Sequence, residues 1–356
     1  VVILGGYGVF GTHVARSLAG YGIPVIVAGR DRGRAKYLAA ELGPAHGFTH
    51  VDLTDSRTIA PAIRDASVVI HCAGPYRSGD RTVLQACLDQ GCHYVDINDN
   101  RAYLATVLAD HDKFASRGLF AAAGCSSLPA ISGALAIHAR AGLSASPQCV
   151  RVTLFIGNNN PKGAAAVTSM MMGLGRTIHV PQGTLHGGRH PELVSLPHFG
   201  NRTVVAFESP EYDLFPSLLG TREVRVKVGF EMALATRMMT LLARAGPRWG
   251  RRTANILIRC SSLFRRVGCS GGVVQTELFD AGGMSRRSAL FGASDGQRMA
   301  ALPAALVARA LCESPPPRPG AGTAYELLGA EGLLGLLVKE GFELFDASDE
   351  AKISRS

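Results

Sequence analysis

The sequence predicts an α/β protein, with an N-terminal doubly wound parallel sheet followed by a C-terminal α+β domain on a mostly antiparallel sheet. Three observations carry that prediction. The chain opens on an unbroken apolar run, residues 1–4, which leads into the turn Gly6-Tyr7-Gly8-Val9-Phe10-Gly11 and then into apolar positions at helical spacing. Short apolar strands and helical stretches then alternate as far as residue 123. Beyond residue 150 the texture changes to strands in which apolar and polar side chains take turns.

A strand buried on both faces of a parallel sheet reads as a continuous apolar run, as residues 1–4 do. Val14, Ala15, Leu18 and Ala19 repeat with the period of a helix. Between them, glycine at 6, 8 and 11 allows a tight turn, close approach of a pyrophosphate, and contact of helix with strand. The helix N-terminus offers unpaired N–H groups to phosphate. Strand, G-x-G-x-x-G turn and helix together mark a Rossmann dinucleotide site, with contacts expected through Gly6, Tyr7, Gly8, Val9, Phe10 and Gly11. A second strand, residues 24–28, ends in Gly29-Arg30-Asp31-Arg32. An acid here takes the ribose 2′-hydroxyl of NAD(H), whereas arginine takes the 2′-phosphate of NADP(H). The planar guanidinium suits phosphate, so Arg30, supported by Arg32 or Arg34, is the expected clamp and NADP(H) the expected cofactor. Asp31 is the ribose acid in the NAD(H) alternative.

The alternation continues. Residues 51–55 close a third strand, where Asp52 reaches the adenine edge, and residues 56–65 are helical. Residues 67–72 form a fourth strand ending at Ala73-Gly74-Pro75-Tyr76. A helix over 82–90 precedes strand five, residues 93–97, and a helix over 101–116 precedes strand six, residues 119–123. Ligands of doubly wound sheets sit at the carboxyl ends of the strands. Cys72, Ala73, Gly74, Pro75, Ser126 and Ser127 are therefore expected beside the nicotinamide. The run A-G-P-Y at 73–76, V-L-Q-A-C at 83–87, G-C-H-Y-V-D at 91–96 and the G-x-x-x-x-P loop at 124–129 resemble the saccharopine dehydrogenase-like NADP-binding oxidoreductases. The resemblance covers residues 1–135; the remainder resembles, in length and texture, bacterial members with unassigned substrates. It implies an NADP-dependent oxidoreductase fold and leaves the substrate open.

Hydride transfer is the cofactor's reaction, and the protein must place the substrate and move a proton. Asp96, at the nicotinamide end of strand five, is one catalytic candidate; His93, near the strand start, is structural. Cys125 is the other. It follows strand six just before a helix expected near Pro129, where a thiolate is favoured. Gly124-Cys125-Ser126-Ser127 is similar to the nucleophile loop of semialdehyde-type dehydrogenases, which makes a Cys125-dependent aldehyde dehydrogenase an alternative. Neither residue is an unambiguous proton donor, so a non-catalytic NADP(H)-binding sensor or scaffold stands as an alternative of another class. No Tyr is followed four residues later by Lys, and no phosphate-binding P-loop occurs. No H-E-x-x-H or paired Cys/His spacing is present, so no metal site is expected. His179, His186, His190 and His198 read as surface residues of a Gly/Pro-rich loop.

At 356 residues the chain suits two domains, 1–133 and 134–356. In the second, residues 151–156 start a strand and Asn158-Asn159-Asn160-Pro161 caps a helix rich in Ala and Met. Further strands fall at 203–207, 223–231, 273–279 and 287–292, with Asp280-Ala281-Gly282-Gly283 as a hairpin turn. Val224, Val226, Val228 and Phe230 face a core, and Glu223, Arg225, Lys227 and Gly229 face water. A helix over 298–312, a stiff proline linker over 315–320 and a short Leu-rich helix that packs back on the first domain complete the chain.

Lys and Arg number 37 against 28 Asp and Glu, a net charge of +9. Residues 1–150 carry +2 of it and residues 151–356 carry +7. No acid lies between Glu231 and Glu277, while Arg237, Arg244, Arg248, Arg251, Arg252, Arg259, Arg265 and Arg266 are interleaved with apolar residues and Trp249. Two helices within an insertion over 232–268 then give a solvated face, a lid over an apolar substrate, or peripheral contact with an anionic membrane. No base-stacking aromatic series accompanies the charge, so nucleic acid is not an expected partner. A homodimer is expected, and a small-molecule substrate. No apolar run reaches the ~18–20 residues of a membrane span. No signal-peptide pattern is present. Eight scattered cysteines without a C-x-x-C pair suit reduced thiols in the cytoplasm. The function these readings add up to is NADP(H)-dependent hydride transfer to or from a small or lipid-like carbonyl, imine or enoyl compound.

Overall fold

The computed structural model describes residues 1–261, 268–282 and 284–350. The chain divides into two units. Val1–Ala130 and Gln297–Leu333 make the first, and Ile131–Gly296 with the chain from Leu334 onward makes the second.

The first unit runs β1 (Val2–Leu4), α1 (Val9–Gly20), β2 (Ile26–Gly29), α2 (Arg32–Leu42), β3 (Gly47–His50), α3 (Ile59–Ile63), β4 (Val68–His71), α4 (Thr82–Gln90), β5 (His93–Asp96), α5 (Arg101–Leu108), α6 (His111–Ala115) and β6 (Phe120–Ala123). Its strands lie in the order β3-β2-β1-β4-β5-β6, all parallel. Val2, Ile3 and Leu4 of β1 and Val68, Val69 and Ile70 of β4 are buried, as central parallel strands require. The strand order turns back between β1 and β4, which makes that crevice the switch point where doubly wound sheets bind ligands.

Two local expectations are corrected here. The third strand ends at His50, one residue before the 51–55 run that was expected to close it. Asp52 lies in the following loop, where its Oδ1 accepts from the Thr54 N–H at 3.0 Å and the Thr54 hydroxyl at 2.8 Å. That side-chain turn competes with the strand ladder and stops it. The helix expected over 101–116 is broken into α5 and α6 at Asp110, a buried carboxylate held by Lys113 at 3.0 Å and by Arg81.

The second unit runs α7 (Ser132–Ala141), β7 (Cys149–Ile156), α8 (Ala164–Gly173), β8 (Thr177–Val180), β9 (Gly183–His186), β10 (Glu192–Leu196), β11 (Gly200–Ala206), α9 (Glu211–Leu219), β12 (Glu223–Phe230), α10 (Ala233–Arg244), α11 (Arg251–Ser261), β13 (Gly272–Phe279) and β14 (Met284–Gly292). The chain continues through α12 (Gly296–Glu313), β15 (Gly320–Thr323), α13 (Ala324–Leu328), α14 (Ala330–Lys339) and β16 (Glu343–Glu350). β15 joins the first sheet, parallel to β6. The proline-rich linker before it thus ends in a strand, tied by Gly320 N–H to Leu119 O at 2.8 Å. β16 joins the second sheet, ordered β10-β11-β12-β7-β13-β14-β16. Only the β12–β7 pair is parallel, so this sheet is largely antiparallel.

Adjacent residues of a strand point to opposite faces, and the second sheet buries both. Phe155, Val194, Val204 and Val273 gather on one face; Val205, Val228, Met239, Ala243 and Ala254 gather on the other. Lys227 was expected to face water, yet it is 5 % exposed. Its Nζ donates to His190 O at 2.9 Å and lies 3.6 Å from Glu192. The same face carries Arg151 directly opposite Glu277, and Glu277 directly opposite Arg287. Arg151 meets Glu277 at 3.1 Å and Glu192 at 2.8 Å, and Arg287 meets Glu277 at 3.0 Å. Cross-strand ion pairing lets charged residues line a covered face.

Three further expectations change. Asn158, Asn159 and Asn160 do not cap α8, whose N-cap is Gly163. Instead Asn160 Nδ2 donates to Gly157 O at 3.0 Å and Gly271 O at 2.8 Å, binding the end of β7 to the start of β13. His179 and His186 lie on the paired strands β8 and β9 rather than in a loop. Of the basic insertion, Arg265, Arg266 and the end of its second expected helix lie outside the described residues, as does Gly283 of the 280–283 turn. Among the described residues, no helix is long and apolar enough to cross a membrane.

Candidate functional site

The glycine turn at the carboxyl end of β1 is packed too tightly for side chains. A Cβ on Gly5, where φ is +76°, would stand 2.9 Å from Ala73 Cβ. One on Gly11 would run into the carbonyl oxygen of Gly5 and come within 2.8 Å of Gly6 Cα, so turn and helix touch backbone to backbone. Gly8 is the N-cap of α1; no side chain caps that end and no acid stands in its first turn. Thr12 N–H, donating to Gly8 O at 3.0 Å, is the first to be paired within the helix. The N–H groups of Val9, Phe10 and Gly11 therefore lie at a bare, positive helix end beside the switch point. This cradle fits a pyrophosphate.

The carboxyl end of β2 forms the second part. Tyr7 lies with its ring against Gly29, where any Cβ would collide with it. Its hydroxyl accepts from Asp31 N–H at 2.8 Å, and its carbonyl accepts from Arg34 Nη2 at 3.1 Å. The Arg34 guanidinium lies 4.7 Å from the Tyr7 ring centroid. Asp31 is the N-cap of α2, its Oδ1 accepting from Arg34 N–H at 3.0 Å. Arg30 and Arg32 are exposed on either side of it. The positive end of α2 thus carries three guanidinium groups, while the one carboxylate there is engaged in capping. Asp52, placed by the sequence at the adenine edge, closes its own loop; the Thr54 hydrogen bonds hold its carboxyl below the usual range and Arg30 adds to the effect.

The ends of β4, β5 and β6 make the third part. Cys72, Ala73 and Gly74 are half-buried and Pro75 exposed. Asp96, the last residue of β5, is fully buried. Its Oδ1 accepts from Gly124 N–H at 2.8 Å, Asn98 N–H at 3.0 Å and Asn98 Nδ2 at 2.5 Å. Its Oδ2 has no partner within bonding distance among the described residues. Burial raises this carboxyl to about 6, opposed by the hydrogen bonds from Gly124 and Asn98. Asp96 O also accepts from Cys125 N–H at 2.8 Å, so one residue fastens the loop 124–127 to β5. Gly124, at φ +64°, packs against Pro129 where a Cβ has no room. Cys125 is fully buried, and burial together with the Asp96 charge holds its thiol protonated. Both effects oppose a thiolate at that position. Ser126 is half-buried and Ser127 is 6 % exposed.

Behind these loops lies a cluster that the sequence reading missed. His71 Nδ1 lies 3.2 Å from the Tyr94 hydroxyl, which lies 2.8 Å from that of Tyr103. The Tyr76 hydroxyl donates to His71 O at 2.6 Å. Burial lowers the His71 imidazole to about 4, so it is neutral at ordinary pH. The alternation that puts Tyr94 on the face of Asp96 was visible in the run H-Y-V-D; the approach of His71 from β4 depended on strand pairing.

A parallel sheet in this order, with a bare glycine turn at its switch point, defines a Rossmann dinucleotide-binding unit. More narrowly, residues 1–122 match the family model described as the saccharopine dehydrogenase NADP binding domain. The saccharopine dehydrogenase-like oxidoreductase of Bos taurus is 26 % identical over 127 residues, which is 35 % of this chain and 30 % of that protein. Its counterpart in Rattus norvegicus is 28 % identical over 153 residues, 40 % of this chain and 35 % of that one. The lipid droplet localized protein of Caenorhabditis elegans is 27 % identical over 147 residues, 37 % and 34 %. The chain thus spans about a third of the length of these relatives. They are animal proteins, not the bacterial members to which the later residues were likened. Apo saccharopine dehydrogenase (L-Glu forming) from Saccharomyces cerevisiae shares the fold, with a TM-score of 0.70 at 13 % identity over 98 % of this chain and 99 % of that one.

Proposed function

We propose that the protein is an NADP(H)-dependent oxidoreductase acting on a small or lipid-like carbonyl, imine or enoyl compound. The observation that carries the cofactor half is the end of α2, where Arg30, Arg32 and Arg34 surround a carboxylate already engaged as the N-cap. An acid so engaged is poorly placed to read the ribose hydroxyl of NAD(H), and arginine is suited to a 2′-phosphate. The nicotinamide, when bound, supplies or accepts the hydride. The chain's own residues divide the remaining work. Gly6, Gly8 and the N–H groups of Val9, Phe10 and Gly11 hold the pyrophosphate; Cys72–Pro75 and Ser126 with Ser127 carry the nicotinamide end. Asp96 acts as a positioning residue, since it touches the loop 124–127 and is sealed from solvent. The aldehyde dehydrogenase alternative is not favoured, because a buried, protonated Cys125 is a poor nucleophile. A lipid-like substrate accords with the name of the nematode relative.

The test is incubation of the protein with NADPH and a panel of aldehydes, ketones, imines and enoyl thioesters, following loss of the reduced nicotinamide absorbance. Oxidation with at least one class is expected, and slower oxidation of NADH with the same compound. Tight NADPH binding without turnover of any class would instead identify a sensor.

A further inference from the structure

The helices α10 and α11 each bury one face and leave an unusual one in water. On α10, Thr236, Met239 and Ala243 are buried, the last two in a core cluster that also holds Ala254 of α11. At 100° per residue, the opposite side of α10 is a stripe of Leu234, Met238 and Leu241. These are 63 %, 39 % and 63 % exposed, which is rare for large apolar side chains on one stripe. Arg237 and Arg244, two turns apart, run along one edge of that stripe. On α11 the outward positions are Arg252, Asn255, Ile256 and Arg259, with Ile256 61 % exposed.

The charge of this surface has one sign. No acid occurs between Glu231 and Glu277, and Arg237, Arg244, Arg248 and Arg252 make no ion pair among the described residues. An ordinary solvated helix face mixes both signs and does not carry a leucine stripe. A substrate lid would turn the leucines inward. A nucleic-acid surface would need stacking aromatics, and the one tryptophan is otherwise engaged: Trp249 Nε1 donates to Leu242 O at 2.9 Å, and its half-buried side chain packs against the core cluster. Exposed leucine with arginine at its margin is the composition of helices that lie in the headgroup layer, their apolar stripe in the acyl boundary and their cations on acidic headgroups.

We propose that the outer faces of α10 and α11 are a docking surface for an anionic lipid bilayer. The stripe supplies shallow apolar insertion and the arginines supply selectivity for acidic lipid. The surface belongs wholly to the second unit, so it stands whether or not the first unit turns over a substrate.

The experiment is co-sedimentation of the full chain with vesicles of phosphatidylcholine containing about a third phosphatidylserine, against vesicles of phosphatidylcholine alone. Binding to the acidic vesicles is expected to be at least about tenfold tighter, and to weaken as salt shortens the reach of the charges. The double variant Leu234→Glu/Leu241→Glu is expected to lose about tenfold or more. The variant Arg237→Glu/Arg244→Glu is expected to lose about fivefold per arginine and to show a shallower salt dependence. Unchanged NADPH binding and unchanged melting temperature in both variants establish that they are folded. Absence of binding to acidic vesicles, or equal binding by the parent and both variants, would overturn the proposal. So would a parent dimer that Leu234→Glu/Leu241→Glu converts to a monomer without any vesicle binding, since the stripe would then belong to a second copy. Binding that heparin matches and the leucine changes leave untouched would reduce the surface to charge alone and would equally overturn it.

Discussion

Gly11→Ala is expected to weaken NADPH binding by about a hundredfold, because the added methyl has nowhere to go. It would meet the Gly5 carbonyl oxygen and Gly6 Cα, both backbone, so the turn itself must shift. A shift of a few tenths of an ångström misaims the N–H groups of Val9, Phe10 and Gly11 at the pyrophosphate. Hydrogen bonds to a charged group are worth about 1.5–3 kcal/mol each, so misaligning one or two gives about that loss. Gly20→Ala is the control, since no atom lies within 4 Å of a Cβ there. Fluorescence titration with NADPH reads both. Equal affinities for Gly11→Ala and the parent would remove the turn from the binding site.

The second expected result concerns acid. His71 folds with its imidazole lowered from 6.5 to about 4 by burial. Its contribution to stability is therefore complete above pH 6.5 and lost as pH falls towards 4. Asp96 folds with its carboxyl raised from 3.8 to about 6. Its contribution is complete below pH 3.8 and lost as pH rises through 6. A shift of this size is worth roughly 3 kcal/mol. The two act in opposite directions over the same window, so the parent protein should show a nearly flat stability between pH 4 and 6.5 from this pair. Asp96→Asn removes one side of the balance, and stability should then rise by roughly 3 kcal/mol from pH 4 to 6.5. His71→Gln removes the other, and stability should fall by a similar amount over that range. Urea denaturation at a series of pH values measures both. Variant curves parallel to the parent would show that neither group is buried as an ionisable side chain.

Features encoded within a few residues were legible in the sequence. The glycine turn, the apolar central strands and the arginines after β2 each depend on neighbours in the chain, and the first sheet follows from their repetition. Features made by distant pairing were not. Lys227 sits in an alternating strand and reads as solvent-facing; its burial comes with partners distant in the chain, Glu192 of β10 and the carbonyl of His190 just before it. Gly320–Thr323 reads as the end of a proline linker, since nothing local marks it as a partner of β6. Asn158, Asn159 and Asn160 are good cap residues by type, but Gly271, more than a hundred residues later, claims the Asn160 amide. At the site, Asp31 reads by type and position as a ribose acid, while in the fold its Oδ1 caps α2. Asp96 and Cys125 stood out by residue type and strand position, and only packing shows that both are sealed.

The preference of the first unit is tested most directly by titrating the purified protein with NADPH and, separately, with NADH. A 2′-phosphate held by Arg30 with Arg32 or Arg34 makes charge-assisted bonds that the ribose hydroxyl lacks. NADPH should therefore bind at least about tenfold more tightly, and Arg30→Ala should narrow the gap without weakening NADH. Equal affinity for the two dinucleotides, or tighter binding of NADH, would contradict the assignment.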